Sequence, residues 1–296
     1  MSSKTGIPIW QVDAFSDRPF AGNPAAVCIL DDFPDDQWMQ SVASEMNLSE
    51  TSFVVPTAEA NSFRLRWFTP ATEVDLCGHA TLASAHTLIE QNQVDTSLPI
   101  RFQTRSGELR CVKAGSRITL DFPATPAAED VDPIVAEQVC QALGLREATV
   151  LQSQFDLLVV VEDSSIVESL LPNLGALAEI KTRGVMVTAA CRGSDIDFVS
   201  RFFAPRCGIN EDPVTGSAHC CLAPYWANRL EKTSLVGYQA SSRGGRVSCE
   251  IAGDRVHLTG TAVTVLEGRL LSKPTMETIS TSTKITIAGT TRPYCG

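Results

Sequence analysis

Arg66-Trp67-Phe68-Thr69-Pro70 returns further along the chain as Arg201-Phe202-Phe203-Ala204-Pro205, and a short loop after each leads to a glycine that opens a helical pattern. The two openings read Cys77-Gly78-His79-Ala80 and Thr215-Gly216-Ser217-Ala218. Strand, loop and helix start thus occur twice in the same order, which marks a duplicated fold. A helix start leaves backbone N–H groups free and carries positive partial charge. Glycine there lets a ligand come close to the backbone. If the copies face each other, two helix N-termini converge on one cleft and grip a small carboxylate from two sides. A lone glycine would more simply permit a tight turn; the duplication shifts the reading of Gly78 and Gly216 towards a pocket.

Around this repeat the first third of the chain is built from short alternating strands. IPIWQVDAF (7–15) and NPAAVCIL (23–30) form a strand pair, SFRLRWF (62–68) a further strand, and residues 100–122 three more. Residues 35–46 carry Trp38, Met39, Val42, Ala43 and Met46 on one face, which predicts an amphipathic helix, and 78–91 predicts another. The Pro-, Ala- and acid-rich stretch 123–133 is the candidate linker. Beyond it come a helix to Leu143, a strand at 157–161, a broken helix over 164–179, strands at 185–189 and 195–203, a helix over 216–230 that Pro224 threatens to kink, and three closing strands. The expected division is 1–122 and 123–261, with 262–296 returning to the first domain. The Ser/Thr-rich tail from Ser272 reads as a last strand or a loose end.

The chain has 296 residues, 44% of them hydrophobic, enough for two folded cores. No apolar run reaches the roughly 20 residues that a membrane helix needs, so no membrane partner is expected. With 24 basic and 34 acidic residues the net charge is −10, which disfavours nucleic acid as a partner. The opening residues lack the apolar core of a signal peptide, which predicts a cytoplasmic, reducing address. The ten cysteines show no CxxC pattern, so all are expected free, most of them as small buried hydrophobes.

Glu50 follows Asn47-Leu48-Ser49, between a helix and the strand Ser52–Val55. It reads as a general base if apolar neighbours desolvate it, or as a loop carboxylate capping local N–H groups. His79 could shuttle a proton or donate to a carboxylate; equally it could cap its helix. Asp212 reads first as a cap, and Ser217 as a carboxylate ligand through hydroxyl and N–H. Cys77, at a helix start, is expected to have a lowered pKa and so a reactive thiolate, or else to be one more small buried cysteine among the ten. His79 and His86 stand about 10 Å apart, and His219 and His257 lack ligand neighbours, so no metal is expected. No dinucleotide fingerprint, Walker A or H-E-x-x-H sequence occurs, so an enzyme would work without a cofactor. Ser241 to Arg246 form a Gly-flanked basic turn, either a solvated hairpin or an anion-contacting loop.

Val12-Asp13-Ala14-Phe15, Phe20-Ala21-Gly22-Asn23-Pro24, Glu45-Met46-Asn47-Leu48-Ser49-Glu50, Phe68-Thr69-Pro70, Cys77-Gly78-His79-Ala80-Thr81 and Glu211 to Ala218 together resemble the phenazine-biosynthesis PhzF family, over about residues 8–270. Leu76 to Ser84 and Ser241 to Gly245 look closest to its eukaryotic phenazine biosynthesis-like domain-containing, or MAWD-binding-protein-like, branch. The resemblance implies an α+β, diaminopimelate-epimerase-like fold: two pseudo-symmetric domains, each a curved, mostly antiparallel sheet around a central helix. It also implies an isomerase that moves a proton on a small carboxylate-bearing substrate. By motif, Glu50, His79 and Asp212 match the catalytic positions, and Ser49, Cys77, Gly78, Thr215, Gly216 and Ser217 the substrate-binding ones. Related epimerases place a cysteine at each helix start. Here Cys77 fills one position and Thr215 the other, so a two-thiol racemisation lacks a base. Three readings stand: a Glu50-dependent isomerase, a Cys77-dependent racemase or epimerase, and a small-molecule or protein-binding member of the fold. A homodimer is compatible with all three.

Overall fold

The computed structural model of the chain describes residues 6–128, 131–191 and 195–272. The first half runs β1 (Ile7–Ala14), β2 (Asn23–Ile29), α1 (Asp36–Met46), β3 (Glu50–Pro56), β4 (Ser62–Phe68), β5 (Glu73–Val74), α2 (Gly78–Glu90), β6 (Ile100–Thr104), β7 (Gly107–Ala114) and β8 (Arg117–Pro123). The second runs α3 (Pro133–Leu143), β9 (Thr149–Gln152), β10 (Leu157–Val160), α4 (Ser164–Ser169), α5 (Leu174–Glu179), β11 (Val185–Ala190), β12 (Phe198–Ala204), β13 (Ile209–Asp212), α6 (Gly216–Leu230), β14 (Ser234–Gln239), β15 (Gly245–Ala252) and β16 (Arg255–Gly260), followed by β17 (Ala262–Leu270).

The duplication is visible strand by strand. In the first half β1 and β2 are antiparallel, β2 and β3 parallel, β3 and β4 antiparallel, and β4 pairs with β5 antiparallel and with β6 parallel before β7 and β8 meander on. The second half repeats this with β9 and β10, β11, β12, β13, β14, β15 and β16 in the same roles. Last strands β8 and β16 pair antiparallel and join the halves, and β17 lies antiparallel along β1, from Ala14 opposite Ala262 to Ile7 opposite Leu270.

Strand alternation sorts the core into layers. Ala25 and Val27 of β2 face the cluster that holds α2, whereas Ala26 and Cys28 face the one that holds α1. In β12, Phe198 and Phe202 join the α2–α6 cluster, and Val199 and Phe203 the one beneath α3, α4 and α5. So α2 and α6 share one continuous core, and the other helices cover the outer faces. This central placement explains why α2 is buried from Gly78 to Ala85 rather than along one stripe.

The broken helix over 164–179 is two helices, parted at Pro172, with Asn173 accepting Ala176 N–H at 3.1 Å as the second cap. Other local details differ from expectation. Strands β5, β9 and β13 are too short to show periodicity. Pro224 does not break α6. A proline there leaves the Cys220 carbonyl without its helical donor, and Thr125 N–H of the linker takes that place at 3.0 Å. The linker is thereby tied to the central helix. The tail beyond Ser272 lies outside the described residues.

Candidate functional site

Glu50 is the first residue of β3, on the same side of the strand as Ser52 and Val54, the side that faces α2. Ser52 Oγ donates to the Ala80 carbonyl at 3.2 Å and holds β3 against the first turn of α2. His79 projects from that turn, and its Nε2 lies 3.0 Å from Glu50 Oε2. The contact is off the N–H direction, so neither atom completes a directed hydrogen bond, although both are buried. Unmade bonds of this kind are costly in a protein interior.

The second half supplies Asp212 at the end of β13. Its Oδ2 accepts Thr215 Oγ1–H at 2.5 Å and its Oδ1 accepts Asn23 Nδ2–H at 2.7 Å. Asn23 is fully buried and spans the halves. Its amide nitrogen also lies 2.9 Å from Val214 O and 3.1 Å from His79 Nδ1, and its oxygen accepts Ser49 Oγ–H at 3.1 Å. An amide has two hydrogens. The shorter contacts, to Asp212 and Val214, use both, which leaves His79 Nδ1 to Cys77 Sγ at 3.4 Å. Gln239, also fully buried, fixes the loop before α6: it donates to Asp212 O at 2.7 Å and accepts Thr215 N–H at 2.8 Å. Asn23 stood in a quoted motif without a role, and Gln239 carried no signal at all.

Neither helix start has a side-chain cap: Cys77 and Thr215 are both extended and bond none of the free N–H groups. Asp212 is therefore not the cap its spacing suggests. The two glycines meet each other. A Cβ on Gly78 would fall 3.2 Å from Gly216 Cα, and one on Gly216 would fall 3.1 Å from Gly78 Cα. Their job is to let two helix ends touch, which differs from the close ligand approach expected for them.

Burial sets the charges. It would depress the His79 pKa, but the adjoining Cys77 sulfur and Glu50 carboxyl together outweigh it and hold the imidazole well above its ordinary value. Burial lifts Asp212 to about 6, against the downward pull of His79 and its two donors. Cys77 is pushed up to about 11 by burial and by Glu50. This corrects the expectation of a lowered value: desolvation exceeds the helix-end effect. At neutral pH Cys77 is a thiol, and it lies on the far side of the imidazole from Glu50.

Glu50, Cys77, Gly78, His79, Asp212, Thr215, Gly216 and Ser217 all line one cavity of about 260 Å³, while Ser49 reaches it only through Asn23. Val74, Leu76, Phe202 and Ile209 give it an apolar wall. Arg183 enters from the second half, its guanidinium paired bidentately with the buried Asp156 and its Nη2 donating to Ser217 Oγ at 3.2 Å. A donor-only guanidinium makes Ser217 Oγ an acceptor on that side and turns the hydroxyl hydrogen elsewhere.

One donor atom from each of Glu50, Cys77 and His79 lies within 4.8 Å of the others, a cluster that pairing histidines with one another had missed. Because the imidazole aims one nitrogen at the carboxylate and the other towards the thiol, a shared ion would have to displace one of these contacts. Cys207, on the rim, is disulfide-bonded, contrary to the expectation that every cysteine is free. It sits half-buried on a 3-10 turn (Pro205–Cys207), open to a second sulfur in a way that strand cysteines are not. Eight other cysteines are free, and Cys295 lies outside the described residues. The basic turn is a structural tie: Arg243 pairs with buried Asp13 at 2.7 Å and Gly244 O accepts Gly22 N–H at 2.7 Å.

A duplicated α+β frame that buries a carboxyl group, an imidazole and a thiol beside two abutting helix ends is that of an isomerase. The chain belongs to the PhzC-PhzF family of phenazine biosynthesis-like proteins, whose profile matches residues 12–268. It is 51% identical to an uncharacterized isomerase of Halalkalibacterium halodurans, over 89% of this chain and 98% of that one. It is 41% identical to the human phenazine biosynthesis-like domain-containing protein, over 89% and 99%. The bacterial relative is therefore more similar than the mammalian one. A PhzF-family crystal structure from Enterococcus faecalis superposes with a TM-score of 0.80 at 41% identity, covering 90% of this chain and 99% of that one. A hydroxyproline epimerase from Agrobacterium vitis shares the fold alone, with a TM-score of 0.59 at 11% identity over 91% and 94%. Among the described residues no helix is long and apolar enough to cross a membrane.

Proposed function

We propose that the chain moves a proton between two carbons of a small carboxylic acid, with Glu50 as the acid–base group. The observation that carries this reading is the buried Glu50–His79 pair, whose facing atoms lack directed hydrogen bonds at the wall of a cavity onto which two uncapped helix ends open. The substrate carboxylate sits against the N–H groups of Gly78 and Gly216 and the Ser217 hydroxyl. Glu50 takes a C–H proton. The electron pair delocalises into the conjugated acid, where the helix ends stabilise the developing oxyanion. Protonated Glu50 then returns the proton to a second carbon, so atoms and charge balance without a redox step. His79, whose Nε2 stands 3.0 Å from Glu50 Oε2, is the neighbour that positions the carboxyl group and faces its charge. Asp212 orients Asn23 and Thr215 and thereby the second helix end. In this reading the catalytic cleft lies between two pseudo-symmetric lobes, 1–122 with the final strand and 123–261.

The test is incorporation of deuterium from heavy water into a panel of small carboxylic acids, which needs no knowledge of the product. Wild type is expected to label at least one acid and Glu50→Gln to lose at least about 10²-fold, the scale of a general base. Equal labelling by both proteins overturns the assignment. Labelling that survives in Glu50→Gln but dies in Cys77→Ala establishes the racemase reading instead, and no labelling by wild type favours a binding protein.

A further inference from the structure

A second chamber of about 820 Å³ adjoins the site and shares Arg183, Arg206 and Cys207 with it. Its cationic lining residues are Lys181, Arg183 and Arg206, and no aspartate or glutamate lines it. In a chain with 34 acidic and 24 basic residues that is against composition. The charge of Arg183 is matched by Asp156. Arg206 donates only to the Ala178 carbonyl, at 3.3 Å near the end of α5, and neither it nor Lys181 has a carboxylate partner among the described residues. Two exposed cations without carboxylate partners among the described residues therefore stand over a chamber that borders the cavity of the acid–base cluster.

We propose that this outer chamber is a subsite for a second anionic group, so that the substrate is a dianion: one carboxylate against the helix ends, and a second carboxylate or a phosphate between Lys181 and Arg206. The inference rests on the proposed isomerase reading for the first carboxylate and extends it to substrate class. Apart from the shared Arg183 and Arg206, the only cationic residue lining the inner cavity is His79, which faces Glu50. Arg183, locked by Asp156 and in contact with Ser217, marks the boundary between the chambers, where its charge is felt by both ends of such a ligand. Exposed pairs of this kind contribute little each, so the two cations together should favour the dianion by about five- to tenfold at low salt, and the preference should shrink as salt rises.

Pentanoate, glutarate and 4-phosphonobutyrate share a carbon chain and differ in the distal group. Calorimetric titration of wild type should show glutarate or the phosphonate binding about five- to tenfold more tightly than pentanoate, with the larger gain identifying the distal group as carboxylate or phosphate. In the Lys181→Ala/Arg206→Ala protein that ratio should fall to about one. A wild-type ratio near one, or a ratio that survives the double substitution, overturns the subsite. Inorganic phosphate alone is the independent arm: backbone amide resonances of residues 181–183, 206 and 207 should respond to millimolar phosphate in wild type and not in the double variant. Silence in wild type overturns the subsite whatever the inner cavity binds. A phosphate response without proton exchange on any acid leaves the subsite standing and the isomerase reading failed.

Discussion

The helix starts at Gly78 and Gly216 are the same structure with different chemistry. Each follows an extended, uncapped residue, each stands behind the same sequence of strand pairings, and each glycine is kept small by the other. Yet the facing carboxyl group and imidazole, and the thiol beside them, belong to the first copy, as Glu50, His79 and Cys77. The second copy gives Asp212, Thr215 and Ser217, which are bound into a network of neutral donors and one arginine. Duplication supplied two like helix starts, and in the proposed reading the proton chemistry falls on one side of them. A one-sided arrangement suits moving a proton along one face of a molecule. Racemisation needs bases on both faces, and the second copy offers a threonine hydroxyl there.

The comparison breaks most sharply at Glu50. Glu50→Gln keeps shape and hydrogen-bonding reach but cannot accept a proton, so labelling should fall at least about 10²-fold. The reciprocal change on the other side, Ser217→Ala, should weaken carboxylate binding by only about tenfold, one hydrogen bond to a charged group, and a loss as large as that in Glu50→Gln would mean that the second copy carries chemistry too.

Gly78→Ala tests the shared contact. Its Cβ would press on Gly216 Cα at 3.2 Å, backbone against backbone, where neither side can give by rotating a side chain. Overpacking of this kind costs about 1–3 kcal/mol, and urea unfolding should show it. Gly216→Ala should cost the same. If either alanine is tolerated without loss, the helix ends are not held together as described.

Much of this was legible beforehand. The R-aromatic-F-x-P repeat and the two Gly-started helices gave the duplication, and the candidates Glu50, His79, Asp212 and Ser217 do line one cavity. What stayed hidden acts across long separations or through burial. Asn23 reaches Asp212 over 189 positions, and Gln239 sits in an ordinary strand pattern whose periodicity says only that it faces inwards. Arg183 gains its meaning from Asp156 and Ser217, neither of them near in sequence. The Cys77 thiol was read by its place on a helix, but its depth in the core decides its charge.

Asp212→Asn sharpens the comparison through stability. Folded, this carboxyl has a pKa of about 6; unfolded, it returns to the ordinary aspartate value of 3.8. The fold therefore favours the protonated form. Below pH 3.8 both states are protonated and the site costs nothing, and between 3.8 and 6 the cost of burying the charge grows to its full value. Above pH 6 the asparagine variant should be more stable by up to about 3 kcal/mol, the free-energy equivalent of that shift. Near pH 4 the two proteins should converge. A variant less stable at pH 8 would show that the bonds from Asn23 and Thr215 need the ionised group.

Cys77→Ala is the smallest expected effect and the one that separates the two copies' histories from their present use. The thiol lies 3.4 Å from His79 Nδ1 and lines the cavity, the position from which a thiolate base would act. Its pKa of about 11 leaves it protonated at neutral pH, and protonating the imidazole beside it does not supply the opposed base that Thr215 lacks. Removing the sulfur should cost the contact to Nδ1 and a little packing, while Glu50 stays 3.0 Å from Nε2. Labelling should remain within about threefold of wild type, the scale of one weak neutral hydrogen bond. The informative companion is Thr215→Cys, which restores a thiol to each helix start. If Thr215→Cys gains the ability to racemise an acid that wild type only isomerises, and Cys77→Ala abolishes that gain, the symmetric chemistry is latent in the frame. If Cys77→Ala alone silences the native exchange, the thiol rather than the carboxylate is the base, and the division of labour between the two copies is the reverse of the one drawn here.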